Sequence, residues 1–285
     1  MSLFYEGFFD GHDRKRLYRR SWGTANKGTI ILVHGFGDHV GRYRHLVQTL
    51  IGSGYRVEGF DSRGHGLSAG VRGHVDSFDQ YIQDLALFVK QIAQENTSEK
   101  PIFLLGHSQG GHICLRYATF HPHVPLQGVI VSSPFLGLVA KAPFAQVVSA
   151  KLLSRFPRQL PMRVPLNIQD LSHDPEEVER TRRDPLYGKW TTPRWYTETM
   201  KAIADTHRRA TLFRFPLLLQ QAGEDRLVDK EASLRFFEHV GSTDKSRIVY
   251  PGYFHEIYNE TPDRRGPVFA NLTNWLDEHL PSVWR

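Results

Sequence analysis

A single cysteine, Cys114, stands in 285 residues. That excludes an intramolecular disulfide framework and any paired thiolates spaced for zinc or redox exchange. Long apolar runs are missing as well: none approaches the ~20 residues that span a bilayer. The first residues lack the basic stretch, short apolar run and small-residue cleavage site of a secretory leader. A cytoplasmic protein is the expectation. There is no HExxH, EF-hand or P-loop pattern, and His255 with Glu256 lacks the second histidine that a zinc-binding helix needs. No metal and no cofactor are expected. Acidic residues are outnumbered, 30 against 36 basic ones, for a formal charge of +6. A basic chain favours anionic partners in general, but its short clusters, Arg14 to Arg16 and Arg19 with Arg20, are not interleaved with stacking aromatics. Nucleic acid is therefore not an expected partner. No repeat or low-complexity tract is present.

What the sequence does contain is an alternation. Residues 3–22 hold two extended runs around Asp10 and Gly11, which predicts an antiparallel entry hairpin. From Gly28 the continuous apolar run 29–33 marks a strand covered on both faces. Similar runs recur at 55–60, 102–105, 128–131, 217–220 and 247–250, read as buried strands. Between them lie helical stripes such as Phe78, Ile82, Leu85, Phe88, Val89 and Ile92. The last stripe, Val268 to Leu280, is expected to start at Pro267 and stop at Pro281. Strands alternating with amphipathic helices predict an α/β fold, a mostly parallel central sheet with helices on both faces. Residues 1–135 and 210–285 form the expected core. Residues 136–209 break the pattern: apolar and proline-punctuated at first, then charged, with no clear buried strand. They are expected to form a helical cap, or lid, inserted between two core strands, since long insertions in compact domains are usually functional.

Chemistry concentrates where strands end. Gly106-His107-Ser108-Gln109-Gly110 runs from a strand straight into a helix. A bare GxSxG arises by chance in about one chain in ten at average composition, but the strand-turn-helix setting is the one that lifts a serine hydroxyl to the top of a sheet. Ser108 is the candidate nucleophile. A serine hydroxyl needs a base, and of 15 histidines His255 follows the last strand-like run, where the base belongs in the order Ser, acid, His. Asp225, in the loop after 217–222, is the candidate acid that orients it. Asp229 competes but is expected to cap the helix beginning near Lys230, and Glu224 is expected to be solvated. The backbone N–H groups of Phe36 and Gln109 are the candidate oxyanion hole. His34, His39, His65, His107 and His112 read as loop-fixing residues; His173, His207, His239 and His279 read as surface ones. Asp61 to Ser68 reads as a structured turn beneath the site, and Cys114 as a buried thiol without a base.

These residues resemble the monoacylglycerol lipase and lysophospholipase branch of the α/β-hydrolase superfamily. His34 to Tyr43 resembles its HGxGxHxGRY-type oxyanion loop, Asp61 to Ser68 its DxRGHGxS segment, and Gly106 to Gly111 its GHSxGG elbow. Asp184-Pro185-Leu186 and the GEDRLVD and HEIYNE stretches are similar to the branch too. The resemblance implies an α/β-hydrolase fold and cofactor-free hydrolysis of a single acyl ester from a glycerol or glycerophosphoryl leaving group. It also implies an apolar acyl tunnel under the cap and peripheral membrane contact through it. The stripe Phe144, Val147, Val148, Leu152 and Leu153, flanked by Lys151 and Arg155, agrees with such a face, though packing onto the core fits it equally. A lysophospholipase, a short-chain carboxylesterase, a peptidase of a related branch and a catalytically dead binding module stay open. A peptidase would need an acidic pocket for the substrate amine, and this insertion is basic and apolar.

Overall fold

The first two runs pair as an antiparallel hairpin, β1 (Phe4–Asp10) with β2 (Arg16–Trp22), the register running from Phe4 opposite Trp22 to Asp10 opposite Arg16. This is a computed structural model, which describes residues 4–96, 100–139, 152–154, 160–164 and 166–284. The hairpin joins one edge of an eight-stranded sheet through β2 against β4 (Tyr55–Phe60). From there β4, β3 (Gly28–Val33), β5 (Ile102–His107), β6 (Gly128–Ser132), β9 (Leu217–Ala222) and β10 (Lys245–Tyr250) lie side by side and parallel.

Successive side chains of a strand point to opposite faces, and the apolar strands supply both. Ile31 and Val33 face one core with Leu104, Val129, Val131 and Leu219. Ile30 and Leu32 face the other with Phe103, Leu105, Ile130 and Leu218. The first core is covered by α2 (Asp79–Glu95) and α3 (Gln109–Phe120), the second by α1 (Arg44–Gly52) and α7 (Pro262–Glu278). Each such side chain contributes about 1.5–3 kcal/mol by burial. A parallel sheet this apolar has to be covered on both sides.

Three expectations are corrected. β10 is not a buried run: it is the far edge of the sheet, and of its six residues only Tyr250 is buried. The last helix begins at Pro262 rather than Pro267, which lies inside it. Pro262 needs no N–H at a first-turn position, and Gly266 has no Cβ to clash with the Pro267 ring, which relieves the usual penalty on the residue before proline. The insertion is not purely helical either. Beside α4 (Pro175–Arg183) and α5 (Pro193–Arg208) it carries a short ladder, β7 (Met162–Arg163) against β8 (Trp190–Thr191). The whole segment leaves the sheet after β6 and returns to it at β9, the neighbouring strand. α6 (Lys230–His239) follows β9, with the Asp229 carboxylate accepting from the Glu231 N–H as its cap. Of the stripe Phe144 to Leu153, all but Leu152 and Leu153 lies outside the described residues, and those two are exposed.

Candidate active site

Ser108 sits between β5 and α3 with φ 52° and ψ −118°, a conformation that a side chain normally avoids. Such strain costs about 1–3 kcal/mol and persists only where the surroundings over-determine it. Here they do. The Ser108 N–H donates to the Ser132 carbonyl at 2.9 Å, and its own carbonyl accepts from Phe135 and His112. The two flanking glycines are required sterically: a Cβ on Gly106 would lie 2.4 Å from the Gly110 carbonyl oxygen, and one on Gly110 would lie 2.1 Å from that of Val33. The sharp turn brings strand and helix into backbone contact, so GxSxG is a packing rule as much as a chemical one.

Asp225 follows β9 and His255 follows β10, so both stand with Ser108, which follows β5, at the carboxyl ends of the parallel strands, where ligands bind in open α/β sheets. The Asp225 Oδ2 lies 2.7 Å from His255 Nδ1. Its Oδ1 accepts from the backbone N–H groups of Leu227 and Val228 at 2.9 and 3.0 Å. Burial raises the Asp225 pKa, but the His255 charge and these donors outweigh it and hold the carboxyl below its usual range. Burial pushes His255 down, and the Asp225 charge and hydrogen bond, with Glu256 and Asp38 behind them, lift it above 6.5 overall. His107 packs its ring 4.7 Å from that of His255. Burial, with the neighbouring His255 ring second, lowers its pKa to about 4, so it stays neutral. Gly35 closes on the serine from the β3 side, where a Cβ would come 3.3 Å from the Ser108 Cβ. Phe36 is the next residue, and Gln109 is the first of α3, where backbone N–H groups have no partner within the helix.

The surroundings match much of the sequence reading. His34 fixes the Ser62 N–H at 2.8 Å, and Asp61 accepts from Val40 and Leu67, so the 61–68 turn is locked under the β3 loop. Glu224 is exposed and Cys114 is buried, its thiol pushed up by desolvation. His173 is a correction. It is half-buried, bonded to Glu260 at 2.8 Å and stacked at 3.7 Å on Phe254, the residue before His255.

Sequence reasoning missed the buried charges that hold these loops together. Arg42 donates to Asp38 at 3.1 Å, forks onto Glu256 at 2.9 and 3.0 Å, reaches Thr181 of α4 and lies over the Tyr187 ring. Tyr43 donates to the other Asp38 oxygen at 2.8 Å. The Glu256 N–H donates to the Leu171 carbonyl at 2.8 Å, and His39 meets Asp184 at 2.8 Å. One guanidinium thus ties the loop after β3, the His255 loop and the insertion. Arg42 and Glu256 are 214 positions apart, and no local pattern could have paired them. Among the described residues no His, Cys, Asp or Glu cluster could hold a metal ion, and no helix is long and apolar enough to cross a membrane.

A parallel sheet entered by an antiparallel hairpin, with a serine on a strained strand-to-helix turn after β5 and a hydrogen-bonded Asp–His pair after β9 and β10, defines an α/β hydrolase. The chain belongs to the serine aminopeptidase S33 family, whose model matches residues 24–262, and within it to the monoacylglycerol lipase and lysophospholipase branch. It is 33% identical over 252 residues to the phospholipase YtpA of Bacillus subtilis (strain 168), covering 88% of this chain and 95% of that one. It is 30% identical to a monoacylglycerol lipase of Mycolicibacterium smegmatis, covering 90% of each. The crystal structure of a Paleococcus ferrophilus monoacylglycerol lipase superposes with a TM-score of 0.84 at 32% identity, over 92% of this chain and 99% of that one.

Proposed function

We propose that the chain is a serine esterase that hydrolyses monoacylglycerols to fatty acid and glycerol through an acyl-enzyme on Ser108. The observation that carries the reading is the 2.7 Å His255–Asp225 contact, with the His255 ring packed on His107, the residue before a serine held at positive φ. Ser108 Oγ attacks the acyl carbonyl while His255 Nε2 takes its proton, and the N–H groups of Phe36 and Gln109 hold the oxyanion. Asp225 fixes the tautomer and stabilises the imidazolium. His255 then returns the proton to the leaving glycerol oxygen. Water repeats the sequence and frees the fatty acid.

Residues 136–209 serve as the lid over this site in the same reading, a cytoplasmic enzyme meeting lipid surfaces through it. Exposed Leu160 and Trp190 lie in the insertion with the cations Arg163 and Lys189 beside them, a mixture suited to a membrane interface. The family model carries the name of an aminopeptidase. A pocket of about 270 Å³ runs from Phe36 to the insertion, and among the described residues its wall holds Arg163, Arg182 and Lys189 and no carboxylate to receive a substrate amine. That favours an ester over a peptide.

Fatty-acid release from a monoacylglycerol, a lysophosphatidylcholine and a short p-nitrophenyl ester, with Ser108→Ala as control, tests the reading. Monoacylglycerol turnover abolished in the control is expected; activity on the short ester alone would make the protein a general carboxylesterase. Lengthening the acyl chain should raise kcat/KM about fourfold per methylene, from ~0.8 kcal/mol of burial each, until the tunnel ends. A flat series would remove the lid from the account.

The pH profile has a defined sign. With the His255 pKa raised, the base form appears only above it, so kcat/KM should fall through a midpoint above pH 6.5 as pH drops. Asp225, Glu256 and Asp38 supply the negative field at that ring, and His107 is neutral beside it. Glu256→Gln should therefore move the midpoint to lower pH, and a midpoint that stays put would show that Arg42 already cancels the Glu256 charge.

A further inference from the structure

The insertion meets the core beside the two oxyanion donors, and it does so through a tryptophan. Trp195, near the start of α5, lays its ring 4.3 Å from that of Phe36 and 6.4 Å from that of Phe135, whose N–H donates to the Ser108 carbonyl. Its indole N–H lies beside the hydroxyl of Tyr81 on α2, and so does the side-chain amide of Gln109. Burial lifts the Tyr81 phenol above its usual range, and these two neighbours pull against it. All three side chains are more than nine-tenths buried. Even so, Tyr81 Oη, Trp195 Nε1 and both amide heteroatoms of Gln109 have no hydrogen-bond partner among the described residues. Buried polar groups are nearly always paired, and these three complement one another. The indole gives one hydrogen bond, the phenol gives one and accepts, and the amide gives two and accepts.

The tryptophan is itself held in place. Thr192 caps α5 by accepting from the Trp195 backbone N–H at 3.2 Å and meets His74 at 2.9 Å, while Thr191 donates to the Gly73 carbonyl at 3.2 Å. A Cβ on Gly73 would overlap the Trp190 carbonyl oxygen, so this end of the insertion is packed backbone to backbone on the core. The Gly188 N–H donates to the Gly37 carbonyl at 2.6 Å, one residue on from Phe36. Residues 188–195 therefore grip the oxyanion loop at two points.

We propose that Trp195, Tyr81 and the Gln109 side chain are positioning residues for the oxyanion hole, a brace by which the insertion fixes the Phe36 and Gln109 N–H groups. The inference rests on the ester-hydrolase reading and deepens it. Gln109 carries the donor N–H and the braced amide on one Cα. Hydrogen bonds from the Trp195 N–H to Tyr81 Oη and from the Tyr81 O–H to Gln109 Oε1 limit the tilt of the first peptide of α3, and the last torsion of the Gln109 side chain is soft enough to make them. Phe36 is set by ring packing on the same tryptophan. Such donors act on charge that exists only in the transition state, so their misplacement lowers kcat and leaves ground-state binding alone.

Tyr81→Phe and Trp195→Phe each delete one hydrogen-bonding group and keep an aromatic ring. On a soluble short p-nitrophenyl ester each should lower kcat about tenfold and leave KM within about twofold. The double variant should lose about as much as either alone, since either deletion breaks the one chain. A trifluoromethyl ketone adds to Ser108 as a tetrahedral oxyanion, so its Ki should rise by the factor by which kcat falls. Tyr117→Phe removes a hydroxyl from another buried position of α3 and should change neither kcat nor Ki. Urea unfolding of each protein reports the folded fraction.

Unchanged kcat and ketone affinity in the two single variants would overturn the brace, whatever their urea midpoints. So would a raised KM with kcat intact, which is the mark of lost substrate packing. Losses that multiply in the double variant would show two independent contacts in place of one chain, and an equal loss in Tyr117→Phe would reduce the effect to a general loosening of α3. A wild type that turns over no ester, or turnover that survives Ser108→Ala, would instead sink the underlying esterase reading.

Discussion

Ser108→Ala is expected to lower kcat about 10⁶-fold, and Asp225→Asn about 10⁴-fold. The serine carries the bond-making oxygen, so its loss leaves only binding and the oxyanion donors. The asparagine keeps the shape of the Asp225 side chain and its contact with the Leu227 and Val228 N–H groups. It removes the charge that lifts the His255 pKa and presents an amide where Nδ1–H needs an acceptor, so the ring is held in the wrong tautomer. Both variants should fold, because Ser108 is held by its backbone and not by its hydroxyl. Single-turnover assays on purified protein, with circular dichroism as the folding check, decide it. Near-normal turnover in either variant would remove that residue from the mechanism.

Arg42→Met is expected to cost about 3–5 kcal/mol of stability, the usual result of stranding a buried charge. Two carboxylates, Asp38 and Glu256, would be stranded at once, each with side chains under a tenth exposed. Because Glu256 adjoins His255 and Asp38 lies in the loop that carries Phe36, the folded fraction should also lose about 10²-fold in kcat through misplacement. Adding Asp38→Asn and Glu256→Gln should recover most of the stability, since removing all the charges together avoids the penalty. Urea unfolding and kcat on the three proteins separate the two effects. A single variant of unchanged stability would mean that the carboxylates are hydrated in solution. The same network gives a pH sign: Arg42 outweighs burial and holds Asp38 at about 2, below its ordinary 3.8. Its stabilisation is complete above the ordinary value and is lost as pH falls through about 2.

Much of the core was legible because a buried parallel strand is written as an uninterrupted apolar run. Every run assigned that way became a strand of the central sheet, and the hairpin around Asp10 and Gly11 formed. β10 was misread as buried because Ile248, Val249 and Tyr250 imitate a central strand, whereas only its place at the sheet edge leaves it half-covered. Pro267 was misread as a helix start because a proline inside a helix is disfavoured, and the neighbouring Gly266 that makes it tolerable carries no signal of its own. His173 reads as a surface residue in the sequence because its partners, Phe254 and Glu260, are more than 80 positions away.

The sequence by itself determined the alternation that makes an α/β sheet, the GxSxG turn with its two obligatory glycines, and the order of serine, acid and histidine along the chain. Those are local properties, set by side-chain period, backbone sterics and position after a strand. Only the tertiary structure decided which charges meet: that Arg42 bridges Asp38 and Glu256. Contacts between residues far apart in the chain depend on how the sheet brings loops to one edge, and a linear pattern holds no record of that distance.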